Sequence, residues 1–249
     1  MPCIRCRCRV KESEVWRVES GVFSKIRFSL FLDLGGLNLY KRMSEDSKIL
    51  ISHTEKNTDL LGPYRRFVIW VHGCCFDCEG CLAENTKNGA YTETNIKDLA
   101  QEILMSDTEG ITISGGEPFL QAKALFELVS LLRSIKDIGV IIYSGFTLEE
   151  LQENDDSKNL LSVTDILIDG RYIKKLDDGR AYIGSSNQRL HYLSDRYKSI
   201  GQEYYSEKKR RAEIKFTLDK AVLIGVPSKN VLEVWQKVKE KSGGEICDF

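Results

Sequence analysis

The chain reads as an α/β protein with a mostly parallel sheet, arranged as an incomplete (β/α) barrel. Three observations predict this. Short β-rich runs alternate with helical patterns from Arg66 onward, and the runs are near-continuously apolar, as strands covered on both faces are. Loops rich in Gly, Ser, Cys and Pro follow those strands, at the edge where parallel sheets collect ligands.

The elements follow in order. Lys48 to Ser52 is a plausible first strand and Phe67 to Val71 a buried one. Ile96, Leu99, Ala100, Ile103 and Leu104 then recur at helical spacing behind a Thr94/Asn95 cap. Ile111 to Ser114 is the next strand. Pro118 sits where a helix's first turn tolerates it, ahead of an apolar face of Leu120, Ala124, Leu125, Leu128, Leu131 and Leu132. Val140 to Tyr143 is a further strand, and Thr147 with Glu150 forms a capping box for a short helix. Asp165 to Ile168 is the last strand of this series. A late strand pair is expected at Ile214 to Leu218 and Ala221 to Val226, then a helix over Lys229 to Lys239 with Val231, Val234, Trp235 and Val238 on one face. Four loops, Gly73 to Cys81, Ser114 to Pro118, Ser144 to Thr147 and Asp169 to Tyr172, should therefore open onto one edge and build one site.

Bulk properties narrow the class. At 249 residues, 42% apolar and 29% charged, the composition is that of an ordinary globular protein. A net charge of −1 supplies no global field for nucleic acid or an anionic membrane. The longest greasy stretch, Phe28 to Tyr40, is interrupted by Asp33, Gly35, Gly36 and Asn38 and is short of the roughly 20 apolar residues a membrane helix needs. Glu12, Glu14 and Glu19 interrupt any secretory h-region. Neither a nucleic-acid nor a membrane partner is expected. The eight cysteines cluster at one end and in one loop, spacing that suits metal better than disulfides. A reducing, cytoplasmic location is the expectation.

Cys74, Cys78 and Cys81 stand in a Cys-x3-Cys-x2-Cys loop directly after an apolar strand. Three thiolates leave one iron of a four-iron cube without a protein ligand, and an open metal position is where chemistry happens. The competing reading is a zinc site, although structural zinc normally takes four ligands and His72 is only two residues from Cys74. Ser114-Gly115-Gly116-Glu117-Pro118 follows the next strand; by itself it could be a plain strand-to-helix turn. Cys75 as a fourth ligand would close the site, but its register beside Cys74 argues against that, and it is read as a buried or free thiol. Cys3, Cys6 and Cys8 could bind metal but lack a nearby fourth ligand. Cys247 is solitary, and His53, His72 and His191 show no ligand spacing.

The cysteine loop and the Ser-Gly-Gly-Glu-Pro segment, in that order, resemble the radical S-adenosylmethionine superfamily. The resemblance implies a single 4Fe-4S cluster on Cys74, Cys78 and Cys81, with S-adenosylmethionine chelating the fourth iron. One electron then cleaves the sulfonium, and the resulting 5′-deoxyadenosyl radical abstracts hydrogen. It also implies that the barrel is of the radical S-adenosylmethionine type. Gly115 and Gly116 would let the backbone approach the methionine end, with Glu117 adding a charged partner or fixing the loop. Gly80, Cys81 and Leu82 would touch the nucleoside, and Ser144 and Asp169 would lie in the ribose region. Many superfamily members place an aromatic before the third cysteine; here that position is Gly80.

A narrower resemblance rests on Asp169-Gly170-Arg171-Tyr172-Ile173, Gly184-Ser185-Ser186-Asn187-Gln188-Arg189 and Tyr143-Ser144-Gly145-Phe146-Thr147. It is to the activating proteins of anaerobic (class III) ribonucleoside-triphosphate reductases, over about Lys48 to Arg189. It implies a glycyl-radical activating enzyme acting on the large reductase subunit, with reduced flavodoxin or ferredoxin as electron donor and an anaerobic cytoplasm. Residues 1–42 are then an N-terminal extension, disordered or not native, ahead of an activase domain at 43–249. Gly184 to Arg189 is either an ordinary loop or a recognition segment with Arg189 as its charged contact, and Lys208 to Arg211 either a solvated turn or a docking patch. Alternatives are an activase of another glycyl-radical enzyme, a peptide-modifying radical enzyme, and a non-catalytic zinc or iron-sulfur adaptor.

Overall fold

The computed structural model describes residues 47–206, 210–216, 220–241 and 245–248. A seven-stranded sheet is built from β1 (Lys48–Thr58), β2 (Arg66–Val71), β3 (Thr92–Asn95), β4 (Gly110–Gly115), β5 (Gly139–Tyr143), β6 (Ile166–Asp169) and β7 (Arg189–Tyr192), in the order β3-β1-β2-β4-β5-β6-β7. The central strands β2, β4, β5 and β6 run parallel. The edges do not: β1 is antiparallel to both β2 and β3, and β7 to β6. The sheet is therefore mixed, and the expectation of a mostly parallel one holds for its centre alone. The Asp59–Arg65 connection is too short for a helical crossover, so β1 and β2 can only meet antiparallel.

The helices are α1 (Asn85–Asn88), α2 (Ile96–Met105), α3 (Ala122–Arg133), α4 (Leu148–Leu151) and α5 (Asp155–Ser162), with α6 (Gly201–Ser206) and α7 (Lys229–Lys241) later in the chain. Asn95 caps α2 by accepting from the Lys97 amide. Thr147 and Glu150 close the expected capping box on α4. Pro118 opens a 3-10 turn, Pro118–Gln121, ahead of α3. Leu125, Leu128, Leu131 and Leu132 of α3 are buried, but Leu120 is 53% exposed because it lies on that turn, out of helical register with them.

All six residues of β2 are buried, which explains the unbroken apolar run that follows Arg66, from Phe67 to Val71. Phe67, Ile69 and Val71 pack with Ile111, Ile113, Val140, Ile142 and the apolar faces of α2, α3 and α5. Val68 and Trp70 point to the other face. There they meet Val222, Ile224 and Val226 from a later part of the chain. Strands β8 (Ala212–Phe216), β9 (Lys220–Gly225) and β10 (Glu245–Asp248) form a second sheet in the order β10-β9-β8, with Trp235 of α7 buried against Ala221 and Leu223. The late strand pair and final helix form in the expected part of the chain, but β8 starts two residues earlier than expected, residues 217–219 lie outside the described ones, and Val234 is exposed rather than on the covered face with Trp235; β10, carrying Cys247, was not foreseen.

At the amino-terminal end of the parallel strands Arg66 is fully buried. It donates to Thr112 Oγ1 at 2.7 Å, Glu109 Oε2 at 3.0 Å, the Tyr197 hydroxyl at 2.9 Å and the carbonyls of Ile111 and Gly139. One guanidinium thus ties β2, β4 and β5 at the end away from the carboxyl-edge loops. No helix among the described residues is long and apolar enough to cross a membrane. Cys3, Cys6 and Cys8, with the whole of residues 1–46, and Lys208 and Lys209 lie outside the described residues.

Candidate functional site

Because β2, β4, β5 and β6 are parallel, the loops that follow them share one edge. They enclose a cavity of about 210 Å³ lined by Cys74, Cys78 and Cys81, by Ser114 to Glu117, by Ser144 and Gly145, and by Gly170 to Tyr172. Trp70, Phe76, Leu82, Tyr143, Tyr182, Gly184, Gln188 and Val226 are among the residues that add apolar and polar wall. The four loops singled out in the sequence thus meet at one place.

The cysteine loop is held by its backbone. Gly73 donates to the Thr86 carbonyl at 2.8 Å, and its own carbonyl accepts from the Glu117 amide at 2.8 Å. The Gly116 amide donates to the Val71 carbonyl at 2.9 Å. A Cβ on Gly116 would overlap the Gly73 carbonyl, and one on Gly115 would lie 2.5 Å from the Val71 amide nitrogen. Gly115 also has φ of +104°, in the left-handed region. Both glycines are therefore required by the contact between two strand ends, whatever ligand sits beside them. With the Gly116 and Glu117 donors engaged, what this turn can offer a ligand is acceptors.

Glu117 is fully buried. Its carboxylate accepts from the Phe119 amide at 3.0 Å, the Ser144 hydroxyl at 2.9 Å and the Gly145 amide at 2.7 Å. It is a strut between the ends of β4 and β5, the second of the two roles expected for it. Burial pushes its carboxyl up to about 7, against the lowering effect of the three donors. Ser144 is committed to the same strut and also accepts from the Phe146 amide.

The thiols of Cys74, Cys75, Cys78 and Cys81 are free, and Cys75 is exposed rather than buried. Burial raises the Cys74 and Cys81 thiols above their usual range, and the Phe76 amide lies 3.4 Å from Cys74 Sγ. Among the described residues, no three His, Cys, Asp or Glu side chains are grouped as a single metal ion would require. Three soft sulfur donors spread around one cavity nonetheless suit an iron-sulfur cluster, and the acceptor-rich glycine turn borders the same cavity. The loop is braced by Lys87 on Asp77 at 2.8 Å and Lys174 on Glu79 at 3.1 Å.

Three expected residues are placed elsewhere. Gly80 does not line this cavity; it borders a neighbouring groove between the cysteine loop, Tyr172 to Asp177 and α7. Asp169 is buried off the cavity, accepting from the Leu148 amide at 2.6 Å and from Arg189 at 2.6 and 3.1 Å. Arg189 also holds Glu149 at 2.6 and 3.1 Å, so its guanidinium is shared between two carboxylates although its side chain is 45% exposed. Of the basic run, Arg210 is almost wholly buried on Asp177, while Arg211 pairs with Asp59 on the surface.

The sequence reading overlooked Phe76. Its ring lies edge-on to Phe146 with centroids 4.7 Å apart, and the Arg171 guanidinium sits 4.5 Å from its centre. A Cβ on Gly145 would come within 2.5 Å of that ring. The signal available was its position as the sole aromatic inside the cysteine loop. Tyr143, Tyr172 and Gln188 also line the cavity, where the sequence marks them only as members of longer segments and assigns them no individual role.

Comparison with known proteins bears on this cavity. The model of the 4Fe-4S single cluster domain family matches residues 60–191. The anaerobic ribonucleoside-triphosphate reductase-activating protein of Enterobacteria phage T4 is 32% identical over 136 residues, 52% of this chain and 85% of that protein. Its namesake from Vibrio cholerae is 31% identical over 140 residues, 52% of this chain and 89% of that one. The pyruvate formate-lyase-activating enzyme of Streptococcus mutans is 32% identical over 160 residues, 59% and 60% of the two chains.

Proposed function

Because the chain belongs to the 4Fe-4S single cluster domain family and to the anaerobic ribonucleoside-triphosphate reductase-activating proteins, we propose that it is an activase that generates a glycyl radical on the large subunit of that reductase. The observation that carries the reading is the convergence of three cysteines and the Ser114 to Glu117 turn on one cavity. In this reading Cys74, Cys78 and Cys81 hold the cluster, and Cys75 stands outside it. When bound, the cluster with S-adenosylmethionine on its remaining iron supplies one-electron cleavage of the sulfonium and hydrogen-atom abstraction from the target glycine.

The chain's own residues bind, orient and exclude water. The turn at Gly115 and Gly116 offers carbonyl oxygens to an ammonium group, and Glu117 holds that turn to the end of β5 through Ser144 and Gly145. Cys81 and Leu82 present the nucleoside contact on the cavity side of the loop, with Gly80 behind them. Trp70, Leu82 and Phe76 form apolar wall, which keeps water from a reactive carbon centre. We read the central strands as part of an incomplete (β/α) barrel within a domain spanning 43–249, with reduced flavodoxin or ferredoxin as donor and the cytoplasm as location. The likeness to a pyruvate formate-lyase-activating enzyme favours a second reading, in which the target is another glycyl-radical enzyme.

The test is anaerobic reconstitution with iron and sulfide, reduction with dithionite, and measurement of 5′-deoxyadenosine. The wild-type protein should produce it and Cys74→Ala should not, while Cys75→Ser should load iron and turn over as the wild type does. A fully loaded wild-type cluster that yields no more than Cys74→Ala sinks the proposal. Adding the reductase subunit or a formate-lyase subunit, and looking for a glycyl radical by electron paramagnetic resonance, separates the two targets.

A further inference from the structure

The chain between Gly170 and Gln188 reaches the cavity with Gly170, Arg171, Tyr172, Gly184 and Gln188. Apart from the 3-10 turn Lys174–Leu176 it has no regular structure, so its placement depends on anchors rather than on ladders. The amino-terminal anchors are internal. Gln188 Nε2 donates to the Gly170 carbonyl at 2.7 Å, Asn187 Nδ2 to the Arg171 carbonyl at 2.8 Å, and the Ile173 amide to Ser185 Oγ at 3.1 Å.

The other anchor comes from outside the family match. Arg210 has a side chain only 5% exposed. It donates to the Arg180 carbonyl at 2.9 Å, the Gly184 carbonyl at 3.1 Å and both oxygens of Asp177 at 2.7 and 3.0 Å. Asp177 in turn accepts from the Tyr172 hydroxyl at 3.3 Å. The Tyr172 ring lies close enough to Gly184 that a Cβ there would be 3.1 Å from it. A planar five-donor group can serve these acceptors together, whereas a lysine ammonium can reach one or two of them.

We propose that Arg210 is a positioning residue: through Asp177 and the Gly184 carbonyl it fixes Tyr172 on the cavity wall and so sets the cavity's affinity for its nucleoside-bearing ligand. This rests on the function proposed above. It also gives the segment after the family match a part in the site, since residues 60–191 carry Tyr172 and Asp177 but not the guanidinium that holds them.

The probe is S-adenosylhomocysteine, which carries the nucleoside but no sulfonium, titrated calorimetrically into the full-length, cluster-loaded chain well below its melting temperature. Arg210→Lys should weaken binding about tenfold and Tyr172→Phe about threefold to tenfold, the double variant falling within about twofold of Arg210→Lys because both act through one link. Binding by Arg210→Lys within twofold of wild type, or losses that multiply in full, overturns the proposal. Tyr172→Phe removes one hydroxyl and tests the same link should Arg210→Lys fail to fold; unchanged binding by it is equally fatal. Amide exchange on the cluster-free protein gives a readout independent of ligand. The amides of Ile173 and Ser186, which bond within this segment, should exchange at least tenfold faster in Arg210→Lys, and unchanged protection overturns the anchor. Failure of the wild type to bind the probe counts against the functional reading, and the exchange arm still decides on Arg210.

Discussion

Glu117→Gln isolates the buried strut. In the wild type both carboxylate oxygens are acceptors, one for Phe119 and Ser144, the other for Gly145. The amide keeps one acceptor and turns the other into a donor, so whichever way it faces a backbone N–H meets an N–H. Leaving a buried donor unsatisfied costs about 1–3 kcal/mol. Against this, the variant has no charge to desolvate. The folded carboxyl titrates at about 7 where an ordinary glutamate titrates near 4.5, so the folded state binds this proton more tightly than the unfolded state does. Its contribution to stability is fully present below about pH 4.5 and is lost as pH rises to about 7, a total near 3 kcal/mol. The variant lacks that slope. Denaturant unfolding of the cluster-free protein, followed by tryptophan fluorescence under anaerobic reducing conditions from pH 5 to pH 8, should show the wild type's advantage shrinking by about 2–3 kcal/mol, because taking the difference removes every other titrating group. An advantage that stays constant within about 0.5 kcal/mol would refute the assignment of a desolvated carboxyl with a raised pKa to this position.

Two further outcomes follow from packing. Gly145→Ala should destabilise the cluster-free protein by about 1–3 kcal/mol, because its methyl would press on the Phe76 ring; Phe76→Leu in the same chain should recover much of the loss in denaturant midpoint. Arg66→Ala should cost about 3–5 kcal/mol by leaving Glu109 and several carbonyls without their shared donor, measured by the same unfolding, and a loss below about 1 kcal/mol would mean that this network adds little.

The sequence was legible where one local rule decided the outcome. Thr147 and Glu150 sit three apart and close a box; β2 is apolar from Phe67 to Val71 because both of its faces are covered. The carboxyl-edge site was legible because parallel order fixes which loops meet. What escaped depended on partners distant in sequence. An aspartate at the end of a strand reads as a ligand donor, yet Asp169 is taken by Arg189 from the adjacent antiparallel strand. A run of four basic residues reads as a solvated turn, yet Arg210 reaches back to Asp177. The β7 edge was invisible because its four residues are only partly covered and carry no apolar run.

The backbone contacts among Val71, Gly73, Gly116 and Glu117 give the cysteine loop a property its own sequence does not hold. Its shape is borrowed from the end of β4. Transplanting Gly73 to Cys81 alone onto another scaffold would carry the thiols without the geometry. A one-residue insertion between Val71 and Cys74 would displace the Ser114 to Glu117 turn as well, so the two motifs can be lengthened, moved or exchanged only as a single unit.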